Sequence, residues 1–234
     1  MASLTYLLFN VAVATSLIGA VLWTPRLWRN WRGLVIGLVI VSGPFIIWDM
    51  LATAAGHWSF NPIYTLGWQL GELPVEELLF FVTVPLGCMV AWELLRRTGA
   101  EAVVLSPRQA RWIMVVLAVM GASGVWLAGG NQYTQLALLS LAVASVTLAL
   151  NPQLVAKKQW WWYQLVGLGL FFVSNSILTG VPVVQYGSEF IIGWRVGTIP
   201  VEDFWYNFAL LNLFLVAYEY SSRRQKRLAS GIIT

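Results

Sequence analysis

The chain has 234 residues, of which 59% are hydrophobic and 10% charged, with 14 Trp and a mean hydropathy of +0.71. Such a composition excludes an ordinary soluble domain and a disordered chain, and it predicts an all-α transmembrane protein. The net charge of +4 comes from basic residues flanking apolar segments, a membrane signature that speaks for membrane lipids and gives no reason to expect nucleic acid as a partner.

Apolar segments of about twenty residues, the length that crosses the hydrocarbon layer, lie near 4–23, 34–54, 74–95, 112–129, 134–150, 160–180 and 199–219. This predicts a seven-helix bundle. The first segment has no basic residue before it and its positive charges follow it, so a retained span is expected rather than a cleaved signal. Loop 24–33 carries Arg26, Arg29 and Arg32, loop 96–111 carries four Arg, loop 151–159 carries Lys157 and Lys158, and the tail carries Arg223, Arg224, Lys226 and Arg227. Thirteen of the fourteen basic residues therefore fall on one side, which predicts an external N-terminus and a cytoplasmic C-terminus in the cytoplasmic membrane. The exception is Arg195. The basic tail is expected near anionic headgroups. Cys88, the single cysteine, excludes an intrachain disulfide and is read as a packing residue of the third span.

The third span opens on Pro74-Val75-Glu76-Glu77, and the seventh opens on Pro200-Val201-Glu202-Asp203, 126 residues later. In the window 67–81, six of fifteen residues match 193–207 without a gap, and the same offset pairs Phe45 with Phe171, Asp49 with Asn175, Thr53 with Thr179 and Glu93 with Glu219. One slipped residue earlier, Tyr6 pairs with Tyr133 and Pro25 with Pro152. So many matched polar and helix-breaking positions indicate a duplication. The expected organisation is a first three-span repeat at 1–97, a linker with an extra span at 98–130, a second three-span repeat at 131–223 and a basic tail at 224–234. The extra span restores parity, so the repeats run parallel. Parallel copies pack about an axis along the membrane normal and bring both tetrads to one level, as a single composite site.

A carboxylate inside a bilayer helix costs roughly 2.5–3.5 kcal/mol even on permissive scales, so four acids together point to function. An ordinary helix start also favours Pro followed by acids, but it does not account for Asp49 and Asn175 at the same expected depth. Adjacent helical residues point about 100° apart, so one acid of each pair faces the cavity, and the sequence leaves open which. Glu76 and Glu202, identical in the copies, are expected to orient or share protons, and Glu77 and Asp203 to play unequal roles. Glu93 lies roughly 25 Å along the helix from Glu76, at the opposite membrane face. With Arg96 and Arg97 after Glu93 and Arg223 after Glu219 at i+3 or i+4, surface ion pairs are expected there.

The stretches Phe45-x-x-Trp48-Asp49, Pro74-Val-Glu-Glu-Leu-Leu-Phe-Phe81 and Pro200-Val-Glu-Asp-Phe-x-x-Asn207 resemble the integral-membrane lycopene cyclases. The resemblance is to the fused single-chain form and covers nearly the whole chain. It implies cyclisation of lycopene, a lipid-soluble carotenoid, without a flavin. A ψ end group is protonated, the tertiary cation is attacked by the neighbouring alkene, and proton loss leaves a β-ionone ring. Catalytic roles then fall to Glu76, Glu77, Glu202 and Asp203. Substrate contacts are expected from Asp49, Trp48, Asn175, Phe80, Phe81, Trp194, Arg195, Trp205, Tyr206 and Asn207, with aromatic faces holding the cation. Four acids facing few cations cannot all ionise cheaply, so a shared proton is expected.

No cofactor or metal is expected: Gly167-x-Gly169 sits inside a span as a packing signal, and His57 has no ligand-spaced partner and is read as interfacial. Arg195 is placed to pair with Glu202 or Asp203, or to snorkel. Two other classes share these features. A proton-coupled carrier also uses parallel repeats and membrane acids, whereas a retinal photoreceptor would need a lysine that the seventh span lacks.

Overall fold

The computed structural model describes residues 2–229, with side chains described for 3–225. The far end of the expected basic tail, with the Lys226 and Arg227 side chains, lies outside the described residues. After one 3-10 turn, α1 (Thr5–Leu22) runs to a short α2 (Pro25–Arg29), where Pro25 can start a helix because its missing N–H is needed by no carbonyl. Helices α3 (Trp31–Gly37) and α4 (Gly43–Ala54) form one rod through a π turn at Leu38–Ser42. That wider turn lies just ahead of Pro44, which has no N–H to give the ladder.

The strand β1 (Trp58–Phe60) follows, then the hairpin of β2 (Gln69–Leu70) and β3 (Leu73–Pro74), which feeds straight into α5 (Val75–Arg97). Next come α6 (Pro107–Leu127), α7 (Gln132–Leu150), α8 (Pro152–Val155) and α9 (Lys158–Gly180). The start of α6 is held by a reciprocal cap between Ser106 and Gln109. The chain closes with β4 (Val184–Tyr186), the hairpin of β5 (Arg195–Val196) and β6 (Ile199–Pro200), and α10 (Val201–Ala229).

Among the described residues, six segments are long and apolar enough to cross a bilayer: α1, the α3–α4 rod, α5, α6, α7 and α9. The expected seventh, α10, is a helix of 29 residues but does not meet that measure. Its position explains its composition. It packs on α7, α3 and α5, with Asn212, Phe214, Leu215 and Tyr218 all buried. A helix walled by protein can carry asparagines and acids that a lipid-facing helix cannot.

Helix association in lipid gains little from the hydrophobic effect, so close packing and interhelical hydrogen bonds hold the bundle. At Gly37 a Cβ would stand 2.6 Å from the Phe214 ring, so only glycine lets α3 approach α10 this closely. At Gly121 a Cβ would stand 2.9 Å from the Leu138 carbonyl oxygen, which lets α6 lie against α7.

Two short hairpins shape the entries to α5 and α10. Each has a two-residue loop led by a glycine of positive φ, Gly71 at 62° and Gly197 at 65°, the arrangement a type II′ turn requires. Between them β1 and β4 pair antiparallel, with Trp58 opposite Tyr186, Ser59 opposite Gln185 and Phe60 opposite Val184. Ser59 and Gln185 are 126 residues apart, the offset of the tetrads.

At the other end of the bundle, Trp92 Nε1 donates to Glu219 Oε1 at 2.8 Å and Tyr218 Oη donates to Glu93 Oε1 at 3.1 Å. Arg96 lies between the two acids, 3.7 Å from Glu93 and paired with Glu219. These acids are buried, not members of surface ion pairs as their spacing suggested, because α5 and α10 meet here and each acid faces the other helix. Arg97 instead donates to the Trp23 carbonyl.

Candidate active site

The hairpin turns each acidic tetrad into the bundle. Val75 N–H donates to the Trp68 carbonyl and Val201 N–H to the Trp194 carbonyl, so both helices start in the same register after their turns. Within each tetrad the two acids then diverge. Glu76 Oε1 accepts the Leu66 N–H at 2.6 Å, and Glu202 Oε1 accepts the Ile192 N–H at 2.8 Å and the Thr134 hydroxyl at 2.6 Å. Both are fully buried, their second oxygens have no hydrogen-bond partner, and neither lines the main cavity. Each fastens its loop to the helix behind it.

Glu77 and Asp203 point the other way, into one cavity of about 210 Å³. Tyr6 donates its hydroxyl to Glu77 Oε2. Tyr133 donates to Asp203 Oδ1 at 2.6 Å and Tyr186 to Asp203 Oδ2 at 2.5 Å. Asp49, 2% exposed, lines the same cavity and accepts the Trp58 Nε1 hydrogen at 2.7 Å. Loss of hydration, reinforced by the Asp203 charge, pushes the Tyr186 phenol well above its ordinary range, so Tyr186 stays a neutral donor.

The cavity is elongated. From Glu77 it runs along α5 to Gly87, about 15 Å at 1.5 Å per residue, with α1 and α9 as its walls. Ser16, Gly87, Gly167 and Ser174 keep it open, and its lining is mostly apolar and aromatic. The acids cluster at one end, so the site can bring a carboxyl group to the tip of a long apolar molecule.

A model of the lycopene cyclase family matches residues 3–95 and 131–221. The chain belongs to the lycopene cyclase family. The match leaves out chiefly α6 with its flanking loops and the C-terminal end. Neither a curated protein nor a solved structure matches the chain. Membership makes the chain an enzyme of carotenoid cyclisation, held in a membrane and acting on a carotenoid.

Of the residues singled out from the sequence, Glu77, Asp203, Asp49, Asn175, Phe80, Phe81, Tyr206 and Asn207 line the cavity. Trp48 stands behind Tyr206, with ring centroids 4.8 Å apart, and Trp205 packs among the neighbouring apolar side chains. Trp194 is exposed. Arg195 donates to the Thr198 carbonyl at 2.8 Å, lies over the Tyr186 ring and, among the described residues, forms no ion pair with Glu202 or Asp203. His57 is buried against Phe190 and bonds Gln132 at 3.1 Å. Cys88 is a buried free thiol on the cavity wall.

Four polar residues of the site carried no functional reading in the sequence: Tyr6, Tyr133, Tyr186 and Trp58. A signal existed for two of them, since Tyr6 and Tyr133 pair in the expected duplication. Trp58 and Tyr186 have no identical counterparts, and only the strand pairing brings them to the acids.

Proposed function

We propose that this chain is a lycopene β-cyclase that closes ψ end groups into β-ionone rings by proton-initiated, non-redox isomerisation, with Glu77 and Asp203 as the acid and base. The carrying observation is that two carboxyl groups from opposite parts of the chain meet at one end of an elongated apolar cavity. A proton adds to the terminal alkene, the tertiary cation is captured by the next double bond, and the ring cation loses a proton. One proton enters, one leaves and no electrons move, so the reaction needs no redox cofactor.

Carboxylates fixed beside a developing cation stabilise it and accept the final proton. The faces of Phe80, Phe81 and Tyr206 add quadrupolar attraction without a nucleophile to trap the cation. Glu76 and Glu202 act indirectly, by setting the loops and the helix starts.

In the same reading α10 is the seventh span, and residues 1–97 and 131–223 are parallel repeats about an axis through the β1–β4 pair. The reciprocal bonds Trp92 to Glu219 and Tyr218 to Glu93, each residue 126 from its counterpart, support that symmetry. The N-terminus lies outside, the acids sit near the outer face, and the polyene enters sideways from lipid between helices.

The test is to supply lycopene to membranes carrying the protein in D2O, without nucleotide or flavin. Cyclised product with one deuterium in each new ring is the expected result. Absence of rings, or rings without deuterium, refutes the reading.

A further inference from the structure

Of the three acids that line the cavity, Glu77 and Asp203 occupy corresponding places in the sequence, yet their surroundings differ at three positions. Asp49 beside Glu77 is matched by Asn175, Trp58 by Val184 and Phe60 by Tyr186, each pair 126 residues apart. The hydrogen bonds follow these differences.

Near Glu77, Asp49 lines the same cavity, and two neighbouring carboxyl groups that cannot both ionise cheaply share one proton. Trp58 decides which one holds it. Indole N–H is a donor only, and it is directed at Asp49 Oδ1 at 2.7 Å, where Thr53 also donates at 3.4 Å. Two donors thus favour the ionised form of Asp49, against one, the Tyr6 hydroxyl, at Glu77, so the shared proton falls to Glu77. Around Asp203 the pattern is reversed. Both of its oxygens already accept a phenol hydrogen, one from Tyr133 and one from Tyr186, which favours its ionised form.

We infer that the cavity has a fixed direction of proton flow: Glu77, held by Asp49, is the acid that protonates the terminal alkene, and Asp203, held by Tyr133 and Tyr186, is the base. This rests on the proposed cyclase reaction and assigns its two halves. The Glu77 O–H bond breaks as a C–H bond forms on the terminal alkene. The ring C–C bond then closes on the tertiary cation. Finally a ring C–H bond breaks and its proton passes to Asp203. Between turnovers water takes a proton from Asp203 and returns one to Glu77, so atoms and charge balance. Asp49, Tyr133 and Tyr186 are positioning residues.

The halves separate by isotope exchange. With lycopene in D2O, an enzyme that can protonate but not complete the ring returns deuterated acyclic substrate. Asp203→Asn should lose about a hundredfold in ring formation yet still deuterate recovered lycopene, whereas Glu77→Gln should do neither. Asp49→Asn should lower exchange and ring formation together, with recovery in Asp49→Glu. The milder variants carry the test if the carboxyl variants fold poorly. Tyr186→Phe should keep exchange while rings fall or their double bond shifts position, and Tyr6→Phe should reduce exchange and rings in parallel.

Exchange lost in Asp203→Asn or Tyr186→Phe but kept in Glu77→Gln or Tyr6→Phe overturns the assignment. Exchange lost in Asp203→Asn and Tyr186→Phe, both well folded, overturns it too. A wild-type protein that forms no rings sinks the proposed function instead, which keeps the two failures distinct.

Discussion

Ser59 lies directly opposite Gln185 in the antiparallel β1–β4 pair. Their numbers differ by 126, as do those of Glu77 and Asp203, of Glu76 and Glu202, and of the Leu66 and Ile192 amides that hold the latter two. Under the proposed symmetry a strand pair centred on equivalent residues marks the axis, and the residues on either side of it converge. Two acids far apart in sequence thus reach one cavity.

Trp58→Phe keeps the ring but removes the donor to Asp49. A hydrogen bond to a charged group is worth about 1.5–3 kcal/mol, so cyclisation in membranes should fall about tenfold or more. Trp58 is buried beside Tyr133, so phenylalanine should fill most of the space. The melting temperature in detergent should fall as well, so turnover is compared per amount of folded protein.

Glu76 and Glu202 act through structure. Glu202→Ala strips acceptors from the Ile192 amide and the Thr134 hydroxyl, whereas Glu76→Ala strips one from the Leu66 amide alone. Each orphaned buried donor costs about 1–3 kcal/mol, so both variants should melt lower, Glu202→Ala further. Glutamine at either position retains an acceptor and should restore most of the loss. A melt series in detergent with parallel turnover measurements distinguishes this from a direct chemical role.

Gly87 should act as a steric gate for the polyene. A Cβ there would meet the Leu17 methyl groups at 3.3 Å, and anything larger must occupy the cavity. Gly87→Phe should reduce conversion of the full-length carotenoid by about tenfold or more. The acids stand about 15 Å away, so deuterium exchange into a short ψ-end analogue should survive.

Arg96 compensates two buried acids at the far end of the bundle. Arg96→Met should cost about 3–5 kcal/mol because Glu93 and Glu219 are left without their cation. The products made by surviving protein should keep their ring type. Denaturation in detergent, read beside product analysis, separates a scaffold from a catalyst.

Much of the scaffold can be read from the sequence, because span length and breaker positions are local properties. Pro74 and Pro200 start α5 and α10 within a residue of where the pattern puts them. The polarity of α10 also follows from local residues, but its burial depends on every other helix. Which acid of each pair meets the cavity depends on the rotation of α5 and α10 about their axes, set by packing at positions such as Gly37 against Phe214. Trp58 and Tyr186 escaped notice because strand pairing between distant segments delivers them, and aromatic residues in loops of a membrane protein carry little information by type. The buried Glu93 network was misread for a related reason: spacing along one helix says nothing about a partner helix 126 residues away.

The β1–β4 ribbon and the Trp92–Glu219 and Tyr218–Glu93 bonds fasten the same two portions of the polypeptide at opposite ends. The covalent link through 98–106 is therefore redundant as a fastener. A gene cut at that loop should yield two fragments that find each other when produced together, with a complete set of acids formed only in the heterodimer.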